Sequence, residues 1–199
     1  KSGKQLPTFN PHKQRVKGFD LNYLKKYALS FSEDCVAIWD LQNWKKVRNM
    51  LAKGPKYTMA RFSVDGSSVL TCFDDGKLYR WNLSNNELER NFVGSNLYDF
   101  VEVEGDKVLG IGKDQKLYVW GSDKTRIEYS LDQVPGIRTF TRVQHYQGNV
   151  LFSADNGRLY VLNIENARIE AEFQVGTSTL DFFQVKGEYL YTLFSNGVI

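Results

Sequence analysis

The 199 residues are 42% hydrophobic and include 13 Phe, 11 Tyr and 4 Trp but only 4 Pro, a composition that excludes a disordered or low-complexity chain. No apolar run approaches the roughly 20 residues that cross a bilayer as a helix, and Cys35 and Cys72 lie in strand-like stretches of a chain too large to need stapling, so free thiols and a reducing compartment are expected. The net charge of +3 hides an asymmetry, because residues 1–61 hold 13 Lys/Arg against 4 Asp/Glu while the remainder is acidic. Such a split points to a charged partner rather than to any fold. There is no charged-then-apolar start of the signal-peptide type, although a chain beginning at Lys1 leaves open a removed targeting segment.

From the amino end, the basic stretch gives way to a strand-rich segment that closes on Ala37-Ile38-Trp39-Asp40. The same pattern, apolar residues ending in Trp plus a small polar residue, returns at Tyr79-Arg80-Trp81-Asn82 and Tyr118-Val119-Trp120-Gly121, and with Leu in place of Trp at Tyr160-Val161-Leu162-Asn163. A step of about 40 residues is the period of a four-stranded propeller blade. Two further markers keep phase. Turn dipeptides stand at Asp75-Gly76, Asp114-Gln115, Asn156-Gly157 and Asn196-Gly197, where Asp-Gly and Asn-Gly suit a two-residue type I′ hairpin, and glycines recur at Gly54, Gly94, Gly136 and Gly176. In the second unit the alternation predicts strand a over Tyr57–Val64, b over Ser68–Phe73, c over Lys77–Leu83 and d over Leu88–Val93. No long amphipathic helix is visible, which removes βαβ and helical-solenoid folds. The repeat units end near residues 40, 82, 121 and 163, dividing the chain into 1–40, 41–82, 83–121, 122–163 and 164–199. Trp39, Trp81, Trp120 and Leu162 are the expected blade-packing residues.

These residues resemble the WD40-repeat family. Leu29-Ser30-Phe31-Ser32-Glu33-Asp34 followed by Ile38-Trp39-Asp40-Leu41 is similar to its Leu-Ser-x-Ser-x-Asp then Leu-Trp-Asp, and His12 falls about where the family's Gly-His stands. The resemblance implies an all-β WD40-type propeller and a buried tetrad built from His12, Ser30 or Ser32, Asp34 and Trp39. Two departures bear on its geometry: the Asp lies one residue nearer the Trp than is usual, and Pro11 replaces the Gly. In later units Gly54, Gly94, Gly136 and Gly176 are followed by Pro55, Ser95, Ile137 and Thr177 rather than His, so those blades are expected to lack the tetrad and to rely on aromatic packing. The run from Tyr27 through Trp39, Ser68–Trp81 and Val108–Trp120 to Glu188–Val198 is also similar to the amino-terminal propeller of a centrosomal and ciliary family that pairs WD repeats with a TBC domain. The family's usual ring has seven blades, and this stretch would supply four to five, the last reaching only the start of strand c.

Catalytic chemistry finds little support. Only two histidines, His12 and His145, are present, no metal-ligand spacing such as Cys-x-x-Cys occurs, and Asp74-Asp75 reads as a turn. Gly110-Ile111-Gly112 lacks the third glycine and the helix of a dinucleotide fingerprint. No enzyme activity, metal or cofactor is expected. The basic third interleaves Lys13, Arg15, Lys17, Lys25 and Lys26 with Phe19, Tyr23 and Tyr27, and Lys45, Lys46 and Arg48 follow Trp44. Such a pattern suits RNA or an anionic membrane surface, but the absence of an RNA-binding motif favours an acidic protein surface such as tubulin tails. The reading is a non-catalytic interaction scaffold in a cytoplasmic or cytoskeletal assembly, ciliary or centrosomal if the narrower resemblance holds. Lys13, Arg15, Lys17, Lys45, Lys46 and Arg48 are its expected contacts with the acidic partner, gathered on one sector.

Overall fold

The computed structural model describes residues 11–92, 96–103, 107–121, 126–130, 137–165 and 168–197; Gly94 and Gly136 of the sequence pattern lie outside them. Among the described residues there are strands and no helix. Blade 1 is β1 (Gly18–Asn22), β2 (Tyr27–Phe31), β3 (Cys35–Asp40) and β4 (Lys45–Leu51), and blade 2 is β5 (Tyr57–Phe62), β6 (Ser68–Phe73), β7 (Leu78–Asn82) and β8 (Leu88–Phe92). Blade 3 follows with β9 (Leu97–Val103), β10 (Lys107–Gly112), β11 (Lys116–Trp120) and β12 (Arg126–Ser130), and blade 4 with β13 (Phe140–Tyr146), β14 (Asn149–Ala154), β15 (Arg158–Asn163) and β16 (Arg168–Gln174). A two-stranded sheet of β17 (Leu180–Lys186) and β18 (Tyr189–Phe194) ends the described chain. Each four-stranded sheet is an antiparallel meander in sequence order, so it closes with strand d, which ends about a dozen residues beyond the Trp or Leu on which the sequence repeat ends.

Residues of the middle strands are buried on both faces, which is why β6 is apolar or small throughout and wholly buried. The chain divides into two compact units, Lys1–Val93 and Gly94–Ile199. In the first, Leu29, Phe31, Val36 and Ile38 of blade 1 pack on Tyr57, Val69 and Phe73 of blade 2, with Trp81 partly buried against them. In the second, Leu109, Ile111, Leu117 and Val119 of blade 3 meet Val150, Phe152, Tyr160 and Leu162 of blade 4. Leu151 and Leu159 on the other face of blade 4 then meet Leu180, Phe183 and Phe194. Each such side chain contributes about 1.5–3 kcal/mol by leaving water.

Polar residues in the apolar alternation of strand a join one blade to the next. The Asp20 carboxylate accepts the Phe62 N–H at 2.8 Å, and buried Asp99 accepts the Val143 N–H at 2.9 Å. The Gln144 amide accepts from Val185 N–H at 3.1 Å and donates to its C=O at 3.3 Å. At the a–b turns the Asn22 amide donates to the Gly66 carbonyl at 3.1 Å, and the Tyr146 hydroxyl to that of Gly187 at 2.6 Å. These links satisfy strand-a groups that the meander leaves unpaired.

The b–c turns correct one expectation. Only the second residue of each dipeptide has positive φ, at 83° for Gly76, 62° for Gln115, 71° for Gly157 and 78° for Gly197. Gly76 N–H bonds to Phe73 C=O at 3.1 Å and Phe73 N–H to Lys77 C=O at 2.9 Å, so the loop is a type I turn followed by a left-handed residue, not a two-residue type I′ turn. Gln115 takes the left-handed position without glycine's freedom.

Candidate functional site: the polar chain and basic surfaces of blade 1

One face of blade 1 carries small residues, Ala28, Ser30 and Ser32 on and after β2 and Cys35 and Ala37 on β3, followed by Trp39. The segment before β1 lays His12 into the space they leave. The His12 ring bonds Ser30 Oγ through Nε2 and Ser32 Oγ through Nδ1, both at 2.7 Å. Trp39 Nε1–H donates to Ser30 Oγ at 3.0 Å, and the Ser32 hydroxyl donates to Asp34 Oδ1 at 2.6 Å. The other Asp34 oxygen accepts the Lys13 N–H at 3.1 Å. Because Ser32 gives its proton to a carboxylate, it must accept from Nδ1–H, which leaves Nε2 to accept the Ser30 proton. The protons then run one way, from indole to hydroxyl, imidazole, hydroxyl and carboxylate. Both serines are used, and the Asp one residue nearer the Trp still reaches the chain.

The electrostatics agree with a neutral imidazole. Burial pushes the His12 pKa down, against a smaller opposing pull from Asp34. The Ser32 hydroxyl holds the Asp34 carboxyl below its usual range, and burial raises the Cys35 thiol. His12, Asp34 and Cys35 place one ligand atom each within 4.8 Å of one another, the one such group among the described residues. Its donor atoms are already engaged: both ring nitrogens and both carboxylate oxygens hold the bonds above, and the Cys35 thiol donates to Pro11 C=O at 3.5 Å and lies 3.0 Å from Nδ1. This cluster ties the amino-terminal segment to the sheet. Cys35 and Cys72 are both free and buried.

The other blades fill the equivalent face differently. Trp81 Nε1–H donates to Thr71 Oγ1 at 2.9 Å, in register with the Trp39–Ser30 pair. At that register Gly110 lies under Trp120, where a Cβ would come within 2.9 Å of the indole, and Phe152 replaces the hydroxyl in blade 4. Ala37 of blade 1 becomes Tyr79, Tyr118 and Tyr160. The Tyr118 hydroxyl donates to Asp114 of the b–c turn at 2.5 Å, and the Tyr160 hydroxyl accepts from Asn156 at 2.7 Å. A Tyr two residues before each Trp or Leu was the sequence signal for this substitution.

The basic residues do not form one cluster. Lys13, Arg15 and Lys17 lie in the exposed segment beside the b–c turn, where Lys17 N–H bonds Phe31 C=O at 2.8 Å and its ammonium pairs with Glu33 at 3.1 Å. Lys45 and Lys46 stand at the other end of the sheet, opposite Asp40 and Trp39, about 17 Å away along β3. Arg48 sits between, donating to Ser84 C=O at 3.4 Å. At the far end Leu41 N–H bonds Lys26 C=O at 2.9 Å, which joins the a–b and c–d turns. That junction gathers Lys25, Lys26, Lys45 and Lys46 with Tyr23 and Leu24, each 77% exposed, and Trp44, 45% exposed. Divided strands, rather than sequence distance, decide which lysines are neighbours.

No protein-family model matches the chain. It is 26% identical over 101 residues to Echinoderm microtubule-associated protein-like 2 of Rattus norvegicus, a match that takes in 47% of this chain and 16% of that protein. Among solved structures it is similar to the β-propeller domain of Cps50 (Swd1) from Myceliophteria thermophila, with a TM-score of 0.78 and 15% identity over 92% of this chain and 63% of that one. The chain thus spans less than two thirds of either. The narrower resemblance to a centrosomal TBC-domain family gains no support from these likenesses. Among the described residues no helix is long and apolar enough to cross a membrane. Four meander sheets, a Trp-ended strand c and the match in three dimensions make the fold a WD40-type β-propeller.

Proposed function

We propose that this chain is a non-catalytic protein-interaction scaffold in a larger cytoplasmic or cytoskeletal assembly, with a centrosomal or ciliary assembly as the narrower form of that reading. It docks an acidic protein surface on blade 1. The observation that carries this is the junction of the two turns, which sets Lys25, Lys26, Lys45 and Lys46 beside exposed Tyr23, Leu24 and Trp44. Clustered like charge beside amphipathic rings raises encounter rates with an acidic partner and then supplies contact area. The similarity to a rat microtubule-associated protein fits a partner with glutamate-rich tails.

The test compares the full-length protein with a variant carrying Lys25→Ser, Lys26→Ser, Lys45→Ser and Lys46→Ser. A second variant carries Lys13→Ser, Arg15→Ser and Lys17→Ser. Binding of a synthetic glutamate-rich peptide of the tubulin-tail type is measured at low salt and at 0.15 M, where exposed charges are screened within about 8 Å. The first variant loses affinity and salt dependence; the second, whose Lys17 is already paired with Glu33, changes little. Equal affinity and equal salt dependence in all three proteins rules the reading out.

A further inference from the structure

A separate feature of the first unit carries a more specific interaction. A cleft of about 650 Å³ lies between strand d of blade 1, with the connector that follows it, and the sheet of blade 2. Pockets that hold small ligands or side-chain anchors run from about 300 to 1,000 Å³. Its floor is an aromatic row: Tyr57 and Phe73 with ring centroids 4.5 Å apart, Phe73 and Tyr79 at 5.4 Å, Tyr79 and Trp81 at 5.9 Å. Two leucines stand at its lips, Leu51 on β4, 61% exposed, and Leu88 on β8, 49% exposed.

Lys53 and Lys77 line the cleft from opposite walls, and Lys45, Lys46 and Arg48 lie farther along β4, beyond its lining. Residues 45–56, which make β4 and the connector, contain Lys45, Lys46, Arg48, Lys53 and Lys56 and no Asp or Glu. Lys56 is held by Glu33 at 2.8 Å, and Lys77 on the opposite wall by Asp75 at 2.8 Å. Among the described residues Lys45, Lys46 and Lys53 meet no carboxylate. Arg48 Nη1 is buried without a hydrogen-bond partner while Nη2 leans on the Ser84 carbonyl. β4 is also the outermost strand of its sheet, so alternate N–H and C=O groups along Lys45–Leu51 have no strand beside them.

We infer that this cleft takes an extended acidic peptide segment of a partner protein, anchored by one or two large apolar side chains between Leu51 and Leu88. The apolar anchor would cover the leucines and the aromatic floor, its flanking carboxylates would meet Lys45, Lys46 and Lys53, and its backbone would run along the free edge of β4. Nucleic acid fits the cleft less well. Tyr57 and Phe73 are 3% and 9% exposed and spend their faces on each other and on Tyr79, so half of the aromatic row offers no ring on which a base could stack. This inference rests on the scaffold reading and shares Lys45 and Lys46 with the junction of the turns, but its apolar seat is a separate one, the cleft between Leu51 and Leu88 on the flank of the blades.

The experiment measures fluorescence polarisation of a labelled peptide, Asp-Glu-Asp-Leu-Asp-Phe-Glu-Asp-Asp, on the full-length protein, beside the same peptide with Leu and Phe changed to Ser. The parent peptide binds and the Ser peptide binds at least about tenfold more weakly. On the protein, Leu51→Ser with Leu88→Ser costs a similar factor without altering salt dependence, because both leucines are exposed and their loss leaves the fold intact. Lys53→Ser reduces both affinity and salt dependence. Equal binding of the two peptides, or leucine variants that bind as the parent protein does, overturns the inference. So does a cleft whose lysines hold a short RNA or a phosphatidylserine vesicle independently of the leucines. Loss of peptide binding on changing Lys25 and Lys26 alone, with the cleft variants unaffected, overturns the cleft yet leaves the interaction scaffold standing. Insensitivity to both sets removes both.

Discussion

Blades 1 and 4 are the same four-stranded meander with the same register between strands b and c, yet they fill one face in opposite ways. Blade 1 puts Ser30 and Ala37 at positions where blade 4 has Phe152 and Tyr160. Small side chains leave a space too large to stand empty in an interior packed near crystal density. His12, from outside the sheet, occupies it and links Trp39 to Asp34 through two hydroxyls. Blade 4 fills the same positions from its own strands: Phe152 stacks on Tyr160 at 5.1 Å, the phenol reaches its own b–c turn through Asn156, and the two rings pack on blade 3. This face can therefore be closed by an imported polar hub or by in-strand aromatics. The first ties a remote segment to the blade; the second offers apolar rings to the core shared with the neighbouring blade.

The comparison breaks most visibly where the aromatic solution is removed. Tyr160 is fully buried in the core shared by blades 3 and 4, and Tyr160→Ala should destabilise by about 3–5 kcal/mol, the cost of a large cavity. Urea unfolding measures it directly. A loss under about 1 kcal/mol would mean that the face collapses around the gap, so that the ring is a filler and not a support.

Removing the polar hub should cost less, because no large apolar volume goes with it. His12→Ala deprives Ser30 and Ser32 of their ring partners, and an expected loss of about 2–3 kcal/mol follows from two bonds, one to half-buried Ser30 and one to buried Ser32. The same residue sets a pH dependence. Its folded-state pKa lies below the ordinary 6.5, so as pH falls through 6.5 the unfolded chain takes up a proton that the folded chain does not, and stability declines until the lowered value is passed. Asp34, also lowered, holds its contribution above pH 3.8 and loses it only at more acidic pH. Thermal melts from pH 8 to 5 should therefore show a slope in the parent protein that His12→Ala removes. A slope that survives the substitution assigns it to another group.

How much of this was legible in the sequence depended on whether a feature repeats. The Trp-ended strand c recurs four times, counting Leu162, and the sheets fall in that phase; the tetrad residues His12, Ser30, Ser32, Asp34 and Trp39 could be named because a known pattern spaces them. The turn type is not legible from the dipeptide, because Asp-Gly serves both I′ turns and the left-handed residue after a type I turn, and the choice lies in the strand register. The basic residues were grouped by sequence distance, whereas the meander sends Lys17 and Lys45 to opposite ends of one blade and brings Lys26 next to Leu41. Asp20, Asp99 and Gln144 stood out only as polar interruptions of strand a, and their backbone partners lie 41 to 44 residues away, in a different blade. No local pattern states that distance.

Blade 3 sharpens the comparison at the smallest scale, because it combines both features that blade 1 and blade 4 separate. It keeps a Trp at the end of strand c, as blade 1 does, but its Tyr118 reaches the b–c turn carboxylate of Asp114 at 2.5 Å, the place that Asp34 fills in blade 1 through Ser32. Tyr118→Phe removes that hydroxyl and nothing else, leaving the ring stacked on Trp120 at 5.7 Å. The loss should be about 1–2 kcal/mol, the value of one hydrogen bond to a charged acceptor whose turn can partly recover water. The ring packing is untouched, so near-ultraviolet circular dichroism from the Tyr118–Trp120 pair should persist while the unfolding midpoint falls. Gln115, in the left-handed conformation at the same turn, makes the loop costly to hold without its side-chain anchor, and amide exchange at residues 113–116 should accelerate in the variant. An unchanged midpoint with unchanged exchange would show that the phenol serves blade 3 as an aromatic ring alone, and that only blade 1 fixes this face through hydrogen bonds.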